Sequence, residues 1–131
     1  MKANRLIISL VCLCIGIAAF AQQSEVLVPR YKLYPTCNMW SFLKLDTSNG
    51  SINMVKFDTN VKNSKEMPVL NNQIEANEEA IPGRFNLVAT DNIWTFILID
   101  QLDGRTWQFQ WSSDGKSKIV PIGQRQTNNQ S

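Results

Sequence analysis

The sequence predicts an all-β domain of two tandem antiparallel units, about four strands each, forming a pseudo-two-fold sandwich or an eight-stranded barrel. Three observations carry that expectation. Residues 30–57 (RYKLYPTCNMWSFLKLDTSNGSINMVKF) are written again at 84–111 (RFNLVATDNIWTFILIDQLDGRTWQFQW), without a gap, Arg30 falling on Arg84. Apolar residues recur at period two in short runs, the spacing of strands. Asn49-Gly50 and Asp103-Gly104 punctuate those runs at matching places, and such dipeptides tolerate the positive φ of tight hairpins.

The identical pairs include Leu33/Leu87, Thr36/Thr90, Asn38/Asn92, Trp40/Trp94, Phe42/Phe96, Asp46/Asp100 and Gly50/Gly104. Other pairs keep their class, as in Tyr31/Phe85, Leu45/Ile99 and Phe57/Trp111. The repeats therefore span 30–70 and 84–122. An acidic connector, 71–83, joins them.

Ahead of the repeats, Lys2 and Arg5 precede an apolar run at 6–18, and Ala19-Phe20-Ala21 follows as a small-x-small cleavage pattern. That is the layout of a signal peptide over residues 1–21. The apolar run falls short of the roughly 20 residues a membrane span needs, so export is expected without stable membrane insertion. Val11 and Leu13, before Cys12 and Cys14, are bulkier than the residue a lipid-attachment cysteine follows. Residues 22–131 then form one domain. In its lead-in, Val26-Leu27-Val28 is a candidate edge pairing.

Each unit is expected to open on an alternating strand with Tyr31 and Leu33, or Phe85 and Leu87, facing inward. Turns at 35–38 and 89–92 follow, where Asn and Thr side chains can hold their own backbone. The segments 39–46 and 93–100 are apolar on both faces, which marks a covered central strand. The return strands carry Asn53, Val55 and Phe57 in the first unit against the heavier Trp107, Phe109 and Trp111 in the second. Short apolar strands around Pro68 and Pro121 close each unit. Proline cannot donate to a ladder, so both belong at edges. The tail after Gly123 is polar and expected to fray.

Composition narrows the function classes. The whole chain has 13 basic and 11 acidic residues, but losing Lys2 and Arg5 leaves 11 of each. With no clustered positive face, nucleic-acid binding is not expected. Histidine is absent, which removes His-dependent triads and His-based zinc sites. No metal cluster or cofactor is expected. The exported chain keeps only Cys37, read as a partly buried, inert thiol.

The phrase Asn-x-Trp-x-Phe-x-x-x-Asp-x-x-x-Gly, present twice, resembles a family of small uncharacterised secreted bacterial proteins with tandem repeats. The match runs on through Gly104-Arg105-Thr106-Trp107 in the second copy, while Ser51-Ile52-Asn53 departs from it in the first. The resemblance covers about half of the exported chain. It implies a shared fold and export, and carries no activity.

Four groups of residues carry candidate chemistry. Asp46 and Asp100 are a candidate carboxylate pair for glycoside chemistry, although a carboxylate at the mouth of each hairpin first serves its own turn. Duplication also gives two like environments, whereas acid and base need different ones. Arg30 and Arg84 are expected to pair with a connector Glu or with the other repeat's Asp. Asp103-Gly104-Arg105-Thr106-Trp107 is one residue short of an Asp-box hairpin, itself structural. Asn38, Trp40, Asn92 and Trp94, at strand entrances beside polar turns, are the candidate ligand-binding residues, since concave sites combine aromatics with a few polar groups.

The expected function is an exported, non-catalytic β-sheet protein, periplasmic or extracellular, that acts by binding a protein or glycan or by assembly. The alternative is a small glycan-active enzyme or enzyme fragment using Asp46 and Asp100. Homo-oligomerisation through an edge strand is a third possibility. Any specific site is expected to break the symmetry on the lighter first unit.

Overall fold

The computed structural model describes residues 25–70, 74 and 80–123. The expected signal peptide, most of the connector and the tail beyond Gly123 lie outside the described residues. Eight strands follow in order: β1 (Tyr31–Pro35), β2 (Ser41–Asp46), β3 (Ile52–Lys56), β4 (Lys65–Leu70), β5 (Phe85–Ala89), β6 (Thr95–Asp100), β7 (Thr106–Gln110) and β8 (Lys118–Ile122). They form two antiparallel meanders, β1-β2-β3-β4 and β5-β6-β7-β8. The two sheets are not closed into a barrel, which leaves the sandwich. Among the described residues the only helical piece is a 3-10 turn at Val61–Asn63.

Local chemistry fixes each hairpin. Tyr31 lies opposite Asp46, and Phe85 opposite Asp100, so both units carry the same register. The β2–β3 and β6–β7 turns place Gly50 at φ 80° and Gly104 at φ 79°, the left-handed region that glycine enters without steric cost. The Gly50 N–H donates 2.9 Å to the Asp46 carbonyl, and the Gly104 N–H 2.9 Å to the Asp100 carbonyl. Pro68 and Pro121 sit in the outermost strands β4 and β8, and the β3–β4 register shifts between Ile52 and Asn53, next to Pro68.

Burial follows a rule that neither unit announces alone. In the second unit Phe85, Leu87, Phe96, Leu98, Trp107 and Phe109 are buried. Their repeat equivalents in the first are Tyr31, Leu33, Phe42, Lys44, Asn53 and Val55. None of these is buried, and Tyr31 and Leu33 are 53% and 59% exposed. The first unit instead buries the alternate positions Leu43, Leu45, Ile52 and Met54. All ten buried residues belong to one core, with Leu70, Ile74 and Trp111. The two sheets therefore stack with unlike faces together, whereas a two-fold would bury the same positions in both. Burying a large apolar side chain contributes about 1.5–3 kcal/mol, so the aromatic-rich face of the second unit dominates the core.

A small polar clasp aligns the stack. The Phe85 N–H donates 2.8 Å to the carbonyl of Thr47. The buried Thr47 hydroxyl donates 2.7 Å to the Arg30 carbonyl and accepts from the Gly83 N–H at 2.8 Å. The Tyr34 hydroxyl, between the sheets, donates to Asn86 Oδ1 at 2.8 Å. Burial raises the Tyr34 pKa above the ordinary phenol value, partly offset by the Leu87 N–H.

Four expectations are corrected. Tyr31 and Leu33 face out, because the first sheet uses its other face. Asn53, Val55 and Phe57, the set expected to point inward, lie on that same outer face, with Phe57 42% exposed. Val26-Leu27-Val28 forms no strand and is exposed. Cys37 is exposed rather than partly buried, because it sits in the β1–β2 turn.

Candidate ligand-binding clefts

The β1–β2 and β5–β6 turns are built alike. Thr36 donates its hydroxyl to the carbonyls of Ser41 and Asn38, and Thr90 does the same to Thr95 and Asn92. Asn38 Oδ1 accepts from the Trp40 N–H at 3.0 Å, and Asn92 Oδ1 from the Trp94 N–H at 3.0 Å. Both amide oxygens thus serve the backbone, as expected of Asx turns. Their effect is to launch a tryptophan from the strand entrance.

Trp94 stacks on Trp111, with ring centroids 5.1 Å apart and planes 12° from parallel. It remains 42% exposed while Trp111 is buried. The two form the aromatic wall of an open cleft of about 530 Å³, completed by Gln110, Ser112, Ser113, Lys116 and Lys118. Asp114 accepts from the Ser112 hydroxyl and the Lys116 N–H, which holds the rim. Trp111 Nε1 is buried without a hydrogen-bond partner.

The first unit repeats this cleft at about 290 Å³, lined by Trp40, Lys56, Phe57, Asp58 and Thr59. Each of these is the repeat equivalent of a residue in the larger cleft: Trp94, Gln110, Trp111, Ser112 and Ser113. Trp40 is 39% exposed and tilts 56° against Phe57 at 5.2 Å. Of the four predicted site residues, the tryptophans line these twin clefts and Asn38 and Asn92 do not. Asn92 lines a separate groove of about 240 Å³ between the two turns, with Thr36, Cys37 and Phe96 among its neighbours. The larger aromatic cleft lies on the heavier second unit, and sequence reasoning missed its polar rim. The available signal was the polar run Ser112-Ser113-Asp114-Gly115-Lys116 directly after a strand of alternating aromatics.

The paired carboxylates have other duties. Asp46 accepts from Arg30 Nε and Nη2 at 3.2 and 3.0 Å, and from the Ser48 N–H at 3.0 Å. Asp100 accepts from Arg84 Nε and Nη2 at 3.0 and 2.8 Å, and from the Leu102 N–H at 3.0 Å. Each serves its own hairpin, as expected. Each arginine pairs with the Asp of its own repeat rather than with the other repeat's Asp, because Arg30 and Arg84 stand one residue before β1 and β5, beside the end of the neighbouring strand; the connector Glu residues lie outside the described residues. Burial pushes both carboxyls up, but the guanidinium and turn N–H bonds outweigh it and hold them below the ordinary range.

A third, polar cleft of about 300 Å³ opens on the outer face of the first sheet, between Tyr31, Lys44, Asp46, Asn49, Ser51 and Asn53. The cations of Arg30 and Lys44 lie over the Tyr31 ring at 5.2 and 5.5 Å, and Lys44 also pairs with Glu66. Those cations already occupy part of the Tyr31 ring face.

Among the described residues no three His, Cys, Asp or Glu side chains gather as metal ligands. No helix among them is long and apolar enough to cross a membrane. No family model, curated protein or solved structure matches the chain.

Proposed function

We propose that this is an exported, non-catalytic binding protein whose ligand is a glycan bearing acidic groups, held in the twin aromatic clefts. The observation that carries the reading is repetition of one open cleft, with an exposed tryptophan braced on a second aromatic ring at each site. Tryptophan faces suit the apolar sides of sugar rings, and hydroxyl and amide groups beside them supply orientation. Lys56 in one cleft, and Lys116 and Lys118 in the other, favour an anionic ligand. Export rests on the leader-like segment at 1–21 and on the resemblance to secreted repeat proteins.

The glycan-active alternative would draw on Asp46 and Asp100. Both carboxylates are engaged by arginine and turn N–H groups in different sheets, and Asp100 is fully buried, so neither is favoured as an acid or base. Edge-strand association would use β1, β4 or β8, since β5 already bonds the first unit through its Phe85 and Leu87 N–H groups, and the prolines in β4 and β8 weaken two of those edges as templates.

Electrophoresis through gels containing acidic or neutral polysaccharides tests the reading. Retardation by at least one acidic polysaccharide is expected, weakened tenfold or more by Trp94→Ala and less by Trp40→Ala. Equal retardation of wild type and Trp94→Ala, or retardation by none, would remove it.

A further inference from the structure

The core joins two unlike faces of one repeated unit. The first sheet contributes the face of Leu43, Leu45 and Met54, and the second contributes the face of Phe85, Phe96 and Phe109. Among the described residues, one face of each kind is left uncovered. The free face of the second sheet is the repeat equivalent of the one the first sheet buries. It presents Val88, Ile97, Ile99, Val120 and Ile122, with Thr106 and Gln108 where the first unit has Ile52 and Met54. Val88, Val120 and Ile122 are 46%, 53% and 43% exposed. The free face of the first sheet is the equivalent of the aromatic face, and presents Tyr31, Leu33, Phe42 and Val55 around the Lys44–Glu66 pair.

We infer that these two free faces bind each other between copies, so that the sheet–sheet stack inside the chain continues head to tail into an oligomer. The occupant is a second copy because the internal interface already shows the two kinds of face fitting together. Its clasp has equivalents in place: Phe85 and Thr47 join the sheets within the chain, and their counterparts Tyr31 and Gln101 are both exposed. The polar replacements also correspond. Asn53 stands for Trp107 on one free face, and Thr106 and Gln108 stand for Ile52 and Met54 on the other, all on the third strand of their units. The apolar parts, on the first two strands, correspond in the same way. An interface more polar than the internal one gives reversible association of subunits that fold alone, as is usual for non-obligate contacts. Unlike-face contacts close into rings when the rotation permits and otherwise extend, and radially stacked four-stranded sheets follow the same geometry.

Sedimentation of the full exported chain over a concentration series tests this. The expected result is mass rising with concentration beyond one subunit. Leu33→Lys and Val88→Lys change exposed residues on opposite free faces, and each is expected to sediment as a monomer with an unchanged melting temperature. Mixed together, they are expected to form a dimer and nothing larger, because one intact face of each kind remains. A wild-type monomer at every concentration overturns the inference. So does association that survives Leu33→Lys, or a mixture that stays monomeric. Polysaccharide retardation of the two variants reads the aromatic clefts separately.

Discussion

The two units write the same Arg–Asp pair into different surroundings. Arg30 and Asp46 meet at 3.0 Å with side chains 52% and 12% exposed, whereas Arg84 and Asp100 meet at 2.8 Å with 2% and 0%. Sequence identity is complete at these four positions, and local geometry is nearly so. The difference comes from the stack. The second unit turns its Phe85 and Trp107 face to the core, which carries its arginine out of solvent, while the first unit turns that same face to water. A repeat thus fixes bond geometry twice and energetic weight only once. The buried pair is not itself a source of much net stability, since desolvating two charges offsets most of their attraction. Breaking it is another matter.

The largest expected effect exploits that asymmetry. Arg84→Ala leaves the Asp100 carboxylate buried with only Arg105, at 3.4 Å, and the turn N–H groups, and should cost about 3–5 kcal/mol. Arg30→Ala removes a half-exposed guanidinium from a solvated pair and should cost far less, close to nothing measurable. Urea unfolding of the two variants beside the wild type measures both. Equal losses would mean that the stack does not distinguish the units.

Acid titration sharpens the same contrast. Asp46 and Asp100 both have native pKa values held below the ordinary carboxyl value of 3.8. A depressed native pKa contributes stability above the unfolded pKa and loses it as pH falls through the native one. Wild-type stability should therefore be flat from about pH 7 to 5 and should decline below about pH 4. In Arg84→Ala, burial without its guanidinium raises the Asp100 pKa, so protonation relieves the buried charge and the acid loss should shrink. Urea midpoints collected from pH 7 to 2.5 would show it, and identical slopes for variant and wild type would argue against a role for this pair in the acid limb.

Strand count, hairpin positions and edge prolines were legible in the sequence because their causes are local. Asn49-Gly50 and Asp103-Gly104 tolerate positive φ wherever they stand, and Pro68 and Pro121 lack an N–H in any context. The buried face of the first unit was not legible. Its central strand alternates Phe42 and Lys44 with Leu43 and Leu45, and parity alone cannot choose between two apolar faces. Analogy with the second unit gave the wrong side for Tyr31 and Leu33, since analogy assumes that like faces are buried. The tryptophans of the site were legible from their place beside Asx turns. The rim of Ser112, Ser113, Lys116 and Lys118 was not, because a polar hairpin in sequence carries no sign of the aromatic wall it will stand beside.

The smallest expected effect tests the other half of the comparison. The Asx turns of Asn38 and Asn92 place equal 3.0 Å bonds at partly or fully solvated turns, so here the stack has nothing to amplify. Asn38→Ala and Asn92→Ala should each cost about 0.5–1.5 kcal/mol, the ordinary net worth of one hydrogen bond, and the two losses should agree. Asn→Asp at either site keeps the accepting oxygen and should recover most of the loss. Thermal melts of the four variants decide it. If Asn92→Ala costs several times more than Asn38→Ala, the stack reaches into the turns, and the clefts are to be compared as two different sites rather than as two copies of one. If the costs agree, any difference in glycan retardation between Trp94→Ala and Trp40→Ala belongs to the rims, where Gln110 and Ser112 stand against Lys56 and Asp58.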